Sequence, residues 1–224
     1  MTTAVMISAA RISAAMMNAA MTKRSFDLLA SLGGLVLLAP ALLAVALWIR
    51  WDSPGPALYR QQRVGRGGDL FTIYKFRTMH QRQHDGAQLT VGLDPRITRA
   101  GALLRRYKLD ELPQLFNVLL GDMSLVGPRP EVPRYVACYP EPVRRVVLSV
   151  APGITDWASI LYKDENAVLA RSADPERAYI DTVLPAKLDY YVRYVRERSF
   201  WTDLRIIAHT LAAIVRQAAH QPPS

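Results

Sequence analysis

Two adjacent carboxylates, Asp110 and Glu111, follow a basic stretch, Arg105-Arg106-Tyr107-Lys108, and precede an apolar helical pattern. Cations at the start of a helix favour a bound phosphate, because free backbone N–H groups and the helix dipole add to their charge. A carboxylate beside a phosphate can attack phosphorus, or it can hold a metal ion that neutralises the phosphate charge. Neighbouring residues point about 100° apart on a helix, so we expect the two carboxylates to have different tasks.

The same carboxylates also fit an ordinary structural task. Pro113 is tolerated only in the first turn of a helix, which predicts a helix start near Asp110, and Gly121 can end that helix. An aspartate at a helix start caps free N–H groups, and a glutamate beside it is favoured by the helix dipole. From spacing alone, helix capping and phosphate chemistry both stay open.

The overall charge favours an anionic partner. The 224 residues include 28 Lys and Arg against 19 Asp and Glu, which gives a formal charge of +9, and 50% of the residues are hydrophobic. Such a chain suits nucleic acid, an anionic membrane or a phosphorylated small molecule. The aromatic residues are not interleaved with basic runs, so we expect no nucleic-acid partner. Cys138 is the only cysteine, which excludes an internal disulfide and a cysteine-based zinc site.

An uncharged apolar segment from Leu28 to Ile49 is long enough for a membrane element. As a straight helix it would measure about 33 Å, and a bilayer hydrocarbon core is about 30 Å thick. The Lys23-Arg24 pair precedes the segment and Arg50 follows it, so the positive-inside rule draws both ends to the cytoplasmic side. Pro40, near the centre, can break the helix. The pattern predicts a re-entrant, proline-broken membrane helix over residues 23–51.

The predicted organisation is one mixed domain attached to this membrane helix. A flexible N-terminal tail spans residues 1–22, a cytoplasmic, membrane-associated catalytic domain spans 52–216, and a C-terminal tail spans 217–224. The predicted fold class is α+β and mainly helical, with a β-hairpin and amphipathic interfacial helices around a small cytoplasmic catalytic domain.

Local patterns predict the elements of this domain. Ala57 to Val64 and Leu70 to Thr78 read as a hairpin around a glycine-rich turn. That turn could cradle a phosphate, but no P-loop pattern is present, and a plain turn is favoured. Helices are expected from Arg99 to Tyr107 and from Asp174 onward, and residues 156–170 look irregular. The apolar stripe of Phe200 to Val215 fits a core helix or a membrane-surface helix.

Four motifs occur in a fixed order after the apolar segment. They are KFRTM (Lys75 to Met79), DPRITRAG (Asp94 to Gly101), LDELPQLFNVLLGDMSLVGPRPE (Leu109 to Glu131) and PGIT (Pro152 to Thr155). Together they resemble the bacterial sugar transferase family, the monotopic polyprenyl-phosphate phosphoglycosyl transferases. The resemblance covers roughly Lys23 to Val215, and the long third block is its most specific part. Some relatives carry a multi-span N-terminal extension that this sequence lacks, which predicts the small form of the enzyme.

The resemblance implies an activity. In this family a UDP-sugar gives its sugar phosphate to a polyprenyl (undecaprenyl) phosphate and releases UMP, the first step of surface glycan or exopolysaccharide assembly. The implied partners are a UDP-sugar donor, a polyprenyl phosphate acceptor and membrane lipids. The implied location is the bacterial inner (cytoplasmic) membrane, with the catalytic domain on its cytoplasmic face. The identity of the sugar stays open, as does the choice between a monomer and a homo-oligomer.

The family's Asp-Glu dyad falls on Asp110 and Glu111. By resemblance, Asp110 is the nucleophile that forms a covalent phosphosugar intermediate, and Glu111 assists the attack of the lipid phosphate. Mg²⁺, with Asp110 as its protein ligand, would neutralise the diphosphate. The family's phosphate-binding arginine, five residues before the dyad, matches Arg105.

The nucleotide loop of the family matches Pro128, Arg129 and Pro130. A rigid loop that holds one guanidinium also suits a nucleotide diphosphate on physical grounds, since arginine offers paired donors. Lys75 belongs to the KFRTM motif on the second predicted strand. Its side chain could face an anion or water, and we assign it to the substrate-binding group.

Two departures from the family pattern bear on function. The helix break is usually Ser-Pro, but this chain has Ala39-Pro40, so local hydrogen bonding at the break is weaker. After PGIT the common continuation is Gly-Trp-Ala-Gln, whereas this chain has Asp156-Trp157-Ala158-Ser159. A non-catalytic alternative also stays open: a membrane-tethered protein that binds anionic ligands, or a scaffold for glycan-assembly enzymes.

Overall fold

The computed structural model describes residues 2–80, 94–162 and 165–220 of the chain. The helices are α1 (Thr2–Asp52), α2 (Arg99–Arg106), α3 (Gln114–Leu120), α4 (Pro133–Val136), α5 (Glu141–Val147), α6 (Trp157–Leu161), α7 (Glu165–Ala170), α8 (Pro175–Ala178), α9 (Leu184–Glu197) and α10 (Phe200–His220). The strands are β1 (Leu58–Val64), β2 (Leu70–Phe76), β3 (Ser124–Val126) and β4 (Gly153–Thr155). The prediction of a mainly helical α+β fold is confirmed.

Helix α1 is one continuous helix that contains Pro40. Its stretch Ala20–Asp52 is long and apolar enough to cross a membrane. Because the helix continues through Pro40, the structure does not show the turn-back predicted there, and the re-entrant topology stays a prediction. The helix also includes residues 2–22, for which the sequence predicts a flexible tail. At the other end of the chain, α10 covers residues 217–220 of the predicted C-terminal tail, and 221–224 lie outside the described residues.

Both ends of the apolar segment are attached to the same folded body. At the N-terminal end, Lys23 Nζ lies 2.5 Å from Asp203 on α10, and the Arg24 guanidinium donates at 2.7 Å to a main-chain oxygen of α3. At the C-terminal end, the buried Arg77 guanidinium donates to the main-chain oxygen of Ser53 at 2.7 Å and also to its hydroxyl. The two guanidinium groups satisfy carbonyl groups at helix ends, where no intrahelical donor is present.

Between these attachments, α1 has a packed face and an exposed face. Leu35 and Ile49 are buried against the body, and the Asp27 carboxylate accepts a main-chain N–H of β3 at 3.2 Å. The opposite face exposes large apolar side chains, and exposed apolar residues of α3 and α10 extend this surface: Leu29, Val36, Leu37, Leu43, Leu47, Phe116, Leu120, Trp201, Leu211 and Val215. An exposed apolar surface of this extent marks a membrane-binding or protein-binding face.

The predicted hairpin is present as the antiparallel pair β1–β2, with Leu58 opposite Phe76 and Val64 opposite Leu70. Its tip contains Gly67 and Gly68, both with positive φ, a conformation that other residues rarely adopt. The tip does not project freely, because the Gly67 N–H donates to a main-chain oxygen at the end of α5 at 2.8 Å. The hairpin therefore packs against the domain that carries the nucleotide loop.

The parallel pair β3–β4 was not predicted. Residues Gly153–Thr155 of the PGIT motif form β4, which pairs with β3 just before the nucleotide loop. Residues 156–170, predicted to be irregular, contain α6 and α7. Gly127 and Gly153 bring the two backbones together, since a Cβ on Gly153 would lie 2.0 Å from the Gly127 nitrogen. Each strand has only three residues and its partner is distant in sequence, so no local periodicity reveals the pairing.

The largest apolar core lies beneath the nucleotide loop. It joins α4, α5, α6, α7 and α9 through buried side chains that include Val132, Tyr135, Val147, Ala158, Leu169, Leu184 and Tyr191. The loop is thus supported from below by close packing, which limits its movement.

Candidate active site

The carboxylate dyad lies in a short 3₁₀ turn, Leu109–Glu111, and not in a regular helix. Lys108 precedes it with φ 55° and ψ 22°, and it is the non-glycine residue with positive φ in the described part of the chain. Residues held in this region of backbone space carry strain and often occur at functional sites. The backbone therefore changes direction immediately before the two carboxylates.

The predicted helix start near Asp110 is wrong. Helix α3 begins at Gln114, its N-cap residue is Pro113, and no side chain caps it. Pro113 occupies a helix start, as expected, but the dyad lies in the preceding 3₁₀ turn, and Leu112 and Pro113 separate it from α3. Asp110 is therefore not a helix cap, which removes the structural alternative for this residue.

Glu111 is buried and fully engaged by cations. Its Oε1 accepts from Lys75 Nζ at 2.9 Å, and its two oxygens pair with both terminal nitrogens of Arg129, with Nη1 at 3.3 Å from Oε2. Burial alone would raise the pKa of Glu111, but the positive charges of Arg129 and Lys75 outweigh it and hold the pKa well below its usual value. This carboxylate remains ionised over the whole physiological range.

Asp110 is in a different environment. Within the described residues, no donor lies within hydrogen-bonding distance of its carboxylate and no cation lies within ion-pair distance. Burial and the neighbouring charge of Glu111 raise the pKa of Asp110, against the attraction of Lys75, Arg105 and Arg129. A carboxylate whose charge is poorly stabilised and whose oxygens are unengaged is suited to bind a cation or to attack an electrophile.

Arg129 is held in place by the loop that carries it. The Gly127 N–H donates to the Thr155 oxygen at 3.1 Å, and the Gly153 N–H donates to the Pro128 oxygen at 2.9 Å, so β4 fixes the main chain before Arg129. The charge of Glu111 holds the pKa of Arg129 well above its ordinary value, although burial opposes this. Asp156, which departs from the family pattern, is buried and contributes to the same effect.

Arg105 lies on the Asp110 side of the dyad. Its Nε donates to the Thr78 hydroxyl at 2.9 Å, which orients the side chain. Burial lowers the pKa of Arg105, and the negative charges of Asp110 and Asp94 oppose that shift. The guanidinium is thus oriented by Thr78 within electrostatic range of Asp110.

The structure therefore brings together the predicted charged site residues. Lys75 and Arg129 contact Glu111, and Arg105 lies within electrostatic range of Asp110. Pro128 and Pro130 flank Arg129 and line a cavity with an empty volume of about 260 Å³, part of it open to solvent. The hairpin tip and α5 form the other walls of that cavity, with lining residues that include Val64, Gly65, Tyr139, Val147 and Leu148.

Sequence reasoning missed two charged residues beside the loop, one buried and one partly buried. Arg63 on β1 and Glu131 are not among the predicted site residues, yet the Arg63 Nη1 and the Glu131 Oε2 lie 3.6 Å apart. Glu131 directly follows the Pro-Arg-Pro loop in the most specific motif of the chain. A carboxylate directly after this loop, in a chain with excess positive charge, could have suggested an ion pair with a cationic side chain of the same chain.

The donor set fits a magnesium ion that is held mainly by substrate. Among the described residues, no group of three or more His, Cys, Asp or Glu side chains could hold a metal by itself. Magnesium is commonly bound by one or two carboxylates together with substrate phosphates and water. Asp110 offers one unengaged carboxylate for this purpose, whereas the Glu111 oxygens are already paired with Lys75 and Arg129.

Comparison with known proteins agrees with the family resemblance that the sequence motifs indicate. The profile of the bacterial sugar transferase family matches residues 18–217. The chain is 39% identical over 196 residues to the UDP-N-acetylgalactosamine-undecaprenyl-phosphate N-acetylgalactosaminephosphotransferase of Aeromonas hydrophila, covering 86% of this chain and 43% of that protein. It is 41% identical over 204 residues to a UDP-glucose:undecaprenyl-phosphate glucose-1-phosphate transferase of Caulobacter vibrioides, covering 87% of this chain and 70% of that protein.

A further relative matches most of this chain but less than half of its own length. The chain is 35% identical over 206 residues to the UDP-glucose:undecaprenyl-phosphate glucose-1-phosphate transferase of Escherichia coli (strain K12), covering 89% of this chain and 42% of that protein. The chain thus spans less than half the length of several curated relatives that it matches. The family match extends over the membrane segment, the dyad and the nucleotide loop, and the chain belongs to the bacterial sugar transferase family.

Proposed function

We propose that this protein transfers a sugar 1-phosphate from a UDP-sugar to undecaprenyl phosphate and releases UMP. The observation that carries the proposal is the contrast within the dyad: Glu111 is held by Lys75 and Arg129, whereas Asp110 has no hydrogen-bond or ion-pair partner among the described residues. The names of the relatives support the classes of donor and acceptor. The step would begin the assembly of a surface glycan or exopolysaccharide.

In the first half-reaction, an Asp110 oxygen attacks the sugar-bearing phosphorus of the UDP-sugar. A bond forms between the Asp110 oxygen and phosphorus, and the bond between that phosphorus and the bridging oxygen breaks, so UMP leaves with the bridging oxygen. Arg129 and Lys75 stand where they can neutralise the diphosphate, and Arg105 stands on the Asp110 side. Asp110 would hold a magnesium ion, which would supply further neutralisation of the diphosphate charge.

In the second half-reaction, an oxygen of undecaprenyl phosphate attacks the same phosphorus. A new diphosphate bond forms, the bond to Asp110 breaks, and the Asp110 carboxylate is regenerated. Glu111 is adjacent to Asp110 in the 3₁₀ turn and assists the incoming phosphate. Because the phosphosugar stays on the protein between the halves, UMP departs before the lipid phosphate is consumed.

The acceptor requires the site to lie at a membrane surface, and the shape of the protein supports this. Both ends of the apolar segment are tied to the same body, through Lys23 and Arg24 at one end and Ser53 at the other. A helix that crosses a bilayer once has its ends on opposite sides. We therefore assign residues 23–51 to a re-entrant element that enters and leaves at the cytoplasmic face of the inner membrane. Helix α1 is continuous through Pro40 in the structure, and in this proposal Pro40 is the position at which the helix breaks in the bilayer.

The nucleotide product tests the proposal. Full-length protein in detergent is incubated with a UDP-sugar, Mg²⁺ and undecaprenyl phosphate, and the released nucleotide is identified by chromatography. UMP is expected. UDP would indicate ordinary glycosyl transfer, and the absence of any nucleotide product across a screen of UDP-sugars would favour a binding or scaffold protein. The same screen would identify the sugar.

A further inference from the structure

Behind the nucleotide loop lies a second arginine–glutamate pair, distinct from Arg129 and Glu111, in which Glu131 is buried and Arg63 is partly buried. Arg63 Nη1 on β1 is 3.6 Å from Glu131 Oε2 and donates to the Pro130 main-chain oxygen at 3.1 Å. The Tyr179 hydroxyl donates to the other Glu131 oxygen at 2.6 Å. The Glu131 carboxylate is therefore held from two sides, by the hairpin and by the π-helical turn that precedes α9.

The contacts of this pair fix the main chain of the loop immediately after Arg129. Arg63 holds the Pro130 carbonyl through its side chain, and the next residue of β1, Val64, donates its N–H to the Glu131 carbonyl at 3.0 Å. Strand β4 holds the main chain before Arg129, as described above. The main chain is thus held both before and after Arg129, and this fixes the position of the Arg129 guanidinium.

Arg63 does not present its guanidinium to the proposed substrate. Its Nε and Nη2 donate to the Gln61 side-chain oxygen at 3.1 and 2.6 Å, and its Nη1 is directed to Pro130 and Glu131. Burial lowers the pKa of Arg63, the charge of Glu131 opposes this, and the charge of Arg129 adds to it. Two guanidinium groups in mutual repulsion are therefore each held by their own glutamate.

We propose that Arg63, paired with Glu131, is a positioning residue that places Arg129 for the diphosphate of the nucleotide sugar. This inference rests on the proposed function, in which Arg129 binds that diphosphate. Displacement of a binding group by about 1 Å can reduce an enzymatic rate about a hundredfold. Loss of Arg63 should therefore weaken the nucleotide half of the reaction and leave the lipid half largely intact.

The experiment compares two arginines of the same strand. Arg63→Met removes the pair, and Arg60→Met makes the same charge change at an exposed position, where the arginine lies over the Tyr74 ring. Affinity for UDP is measured by calorimetry on full-length protein in detergent. We expect Arg63→Met to weaken UDP binding by about tenfold or more, and Arg60→Met to change it less than about twofold. Transfer from preformed adduct to undecaprenyl phosphate should change less than about threefold in both variants.

A double-mutant cycle separates positioning from direct contact. If Arg63 acts through Arg129, Arg63→Met should have little further effect on UDP affinity in an Arg129→Lys background. If the fold-changes in UDP affinity of the two single variants instead multiply in the double variant, Arg63 acts on the ligand by itself, and the inference is overturned. Arg63→Lys, which keeps the charge and one donor, should recover part of the affinity.

Stability is measured in parallel, because an unpaired Glu131 is costly when buried. If Arg63→Met does not fold, the affinity of Arg63→Lys decides the question, and wild-type affinity in that variant overturns the inference. If Arg129→Lys itself leaves UDP affinity unchanged, the diphosphate role of Arg129 in the proposed function fails. If Arg129→Lys weakens binding and the Arg63 variants do not, only the positioning role is rejected.

Discussion

The guanidinium of Arg129 pairs with the carboxylate of Glu111 through both of its terminal nitrogens. The group proposed to bind the diphosphate is thus already occupied by a side chain of the same site. Glu111 and an incoming diphosphate compete for Arg129, and Lys75 is shared in the same way. When a diphosphate takes these cations, the Glu111 carboxylate is released next to Asp110, where the lipid phosphate must arrive.

This competition predicts an increase in nucleotide affinity from a mutation in the dyad. Glu111→Gln removes the competing charge but keeps the shape, so UDP should bind about three to ten times more tightly while turnover falls. Calorimetry with UDP and a UMP-release assay measure the two effects. Glu141→Gln, at an exposed position on α5, is the control and should leave both unchanged. Weaker UDP binding by Glu111→Gln would show that Glu111 supports the nucleotide site instead of competing with it.

Covalent chemistry at Asp110 predicts an adduct before any lipid is present. Protein incubated with a UDP-sugar and Mg²⁺ should gain the mass of a sugar phosphate on the peptide that contains Asp110, and an equal amount of UMP should be released. Asp110→Asn should show neither, because the amide is not a nucleophile, and activity should fall by about a thousandfold or more. Asp69→Asn, at the hairpin tip, serves as the matched control. Full turnover by Asp110→Asn, or kinetics that require both substrates bound together, would show that the nucleophile is misassigned.

The raised pKa of Asp110 predicts that its ionised carboxylate destabilises the folded protein. An acid with a folded-state pKa above its unfolded value, about 3.9, destabilises the fold above both values and ceases to do so as pH falls below them. Asp110→Asn should therefore unfold at a higher temperature than wild type at pH 7 to 8, and the difference should shrink toward pH 4. For a domain of this size, each kcal/mol corresponds to about 2 to 4 °C. If the difference in melting temperature between Asp110→Asn and wild type grows as the pH falls, the effect has the opposite sign and the prediction is wrong.

The close approach of β3 and β4 predicts a strict requirement for glycine. Gly153→Ala would place a Cβ 2.0 Å from a backbone nitrogen that cannot move without displacing the nucleotide loop. We expect a loss of more than about 2 kcal/mol of stability together with a loss of UMP release. Gly33→Ala is the matched control, because a Cβ at Gly33 meets no atom within 4 Å and alanine favours a helix. Normal melting of Gly153→Ala would be incompatible with the observed β3–β4 geometry.

The proposed topology predicts that both flanks of the apolar segment face the cytoplasm. Single cysteines at Met21 and Asp69, in a Cys138→Ser background, should both resist an impermeant thiol reagent in intact cells and react with it after the membrane is opened. If only one of the two sites reacts in intact cells, the segment crosses the membrane once.

Local signals were enough for much of the fold. The hairpin, α2 and the end of α3 follow from alternation, basic helical spacing and the left-handed Gly121. The family motifs also led to the charged site residues Lys75, Arg105, Asp110, Glu111 and Arg129. In each case the information lies within a few neighbouring residues or within one contiguous block.

Contacts between segments that are distant in the sequence could not be predicted from such local patterns. The sequence does not reveal that Lys75 and Arg129 share Glu111, because that depends on how β2 and the nucleotide loop meet in space. The helix start near Asp110 was misplaced because spacing from Pro113 could not distinguish the 3₁₀ turn that holds the dyad from the first turn of an α-helix. The pairing of PGIT with β3 likewise requires a tertiary contact between two three-residue strands.

The contact between Lys23 and Asp203 also constrains the order of events during synthesis. The two residues are separated by 180 positions, and the same lysine donates to the Val126 oxygen at 3.2 Å. At a synthesis rate of about 5 to 20 residues per second, Asp203 follows Lys23 by roughly 10 to 35 s. The membrane segment therefore emerges from the ribosome long before its partner on α10 exists. During that interval Asp27, one helical turn away, is the acidic partner of Lys23 that has already been made, and Asp203 is not yet present. Because acidic residues contribute little to membrane orientation, the charge of Lys23 can act on it before the body closes and the contact with Asp203 forms.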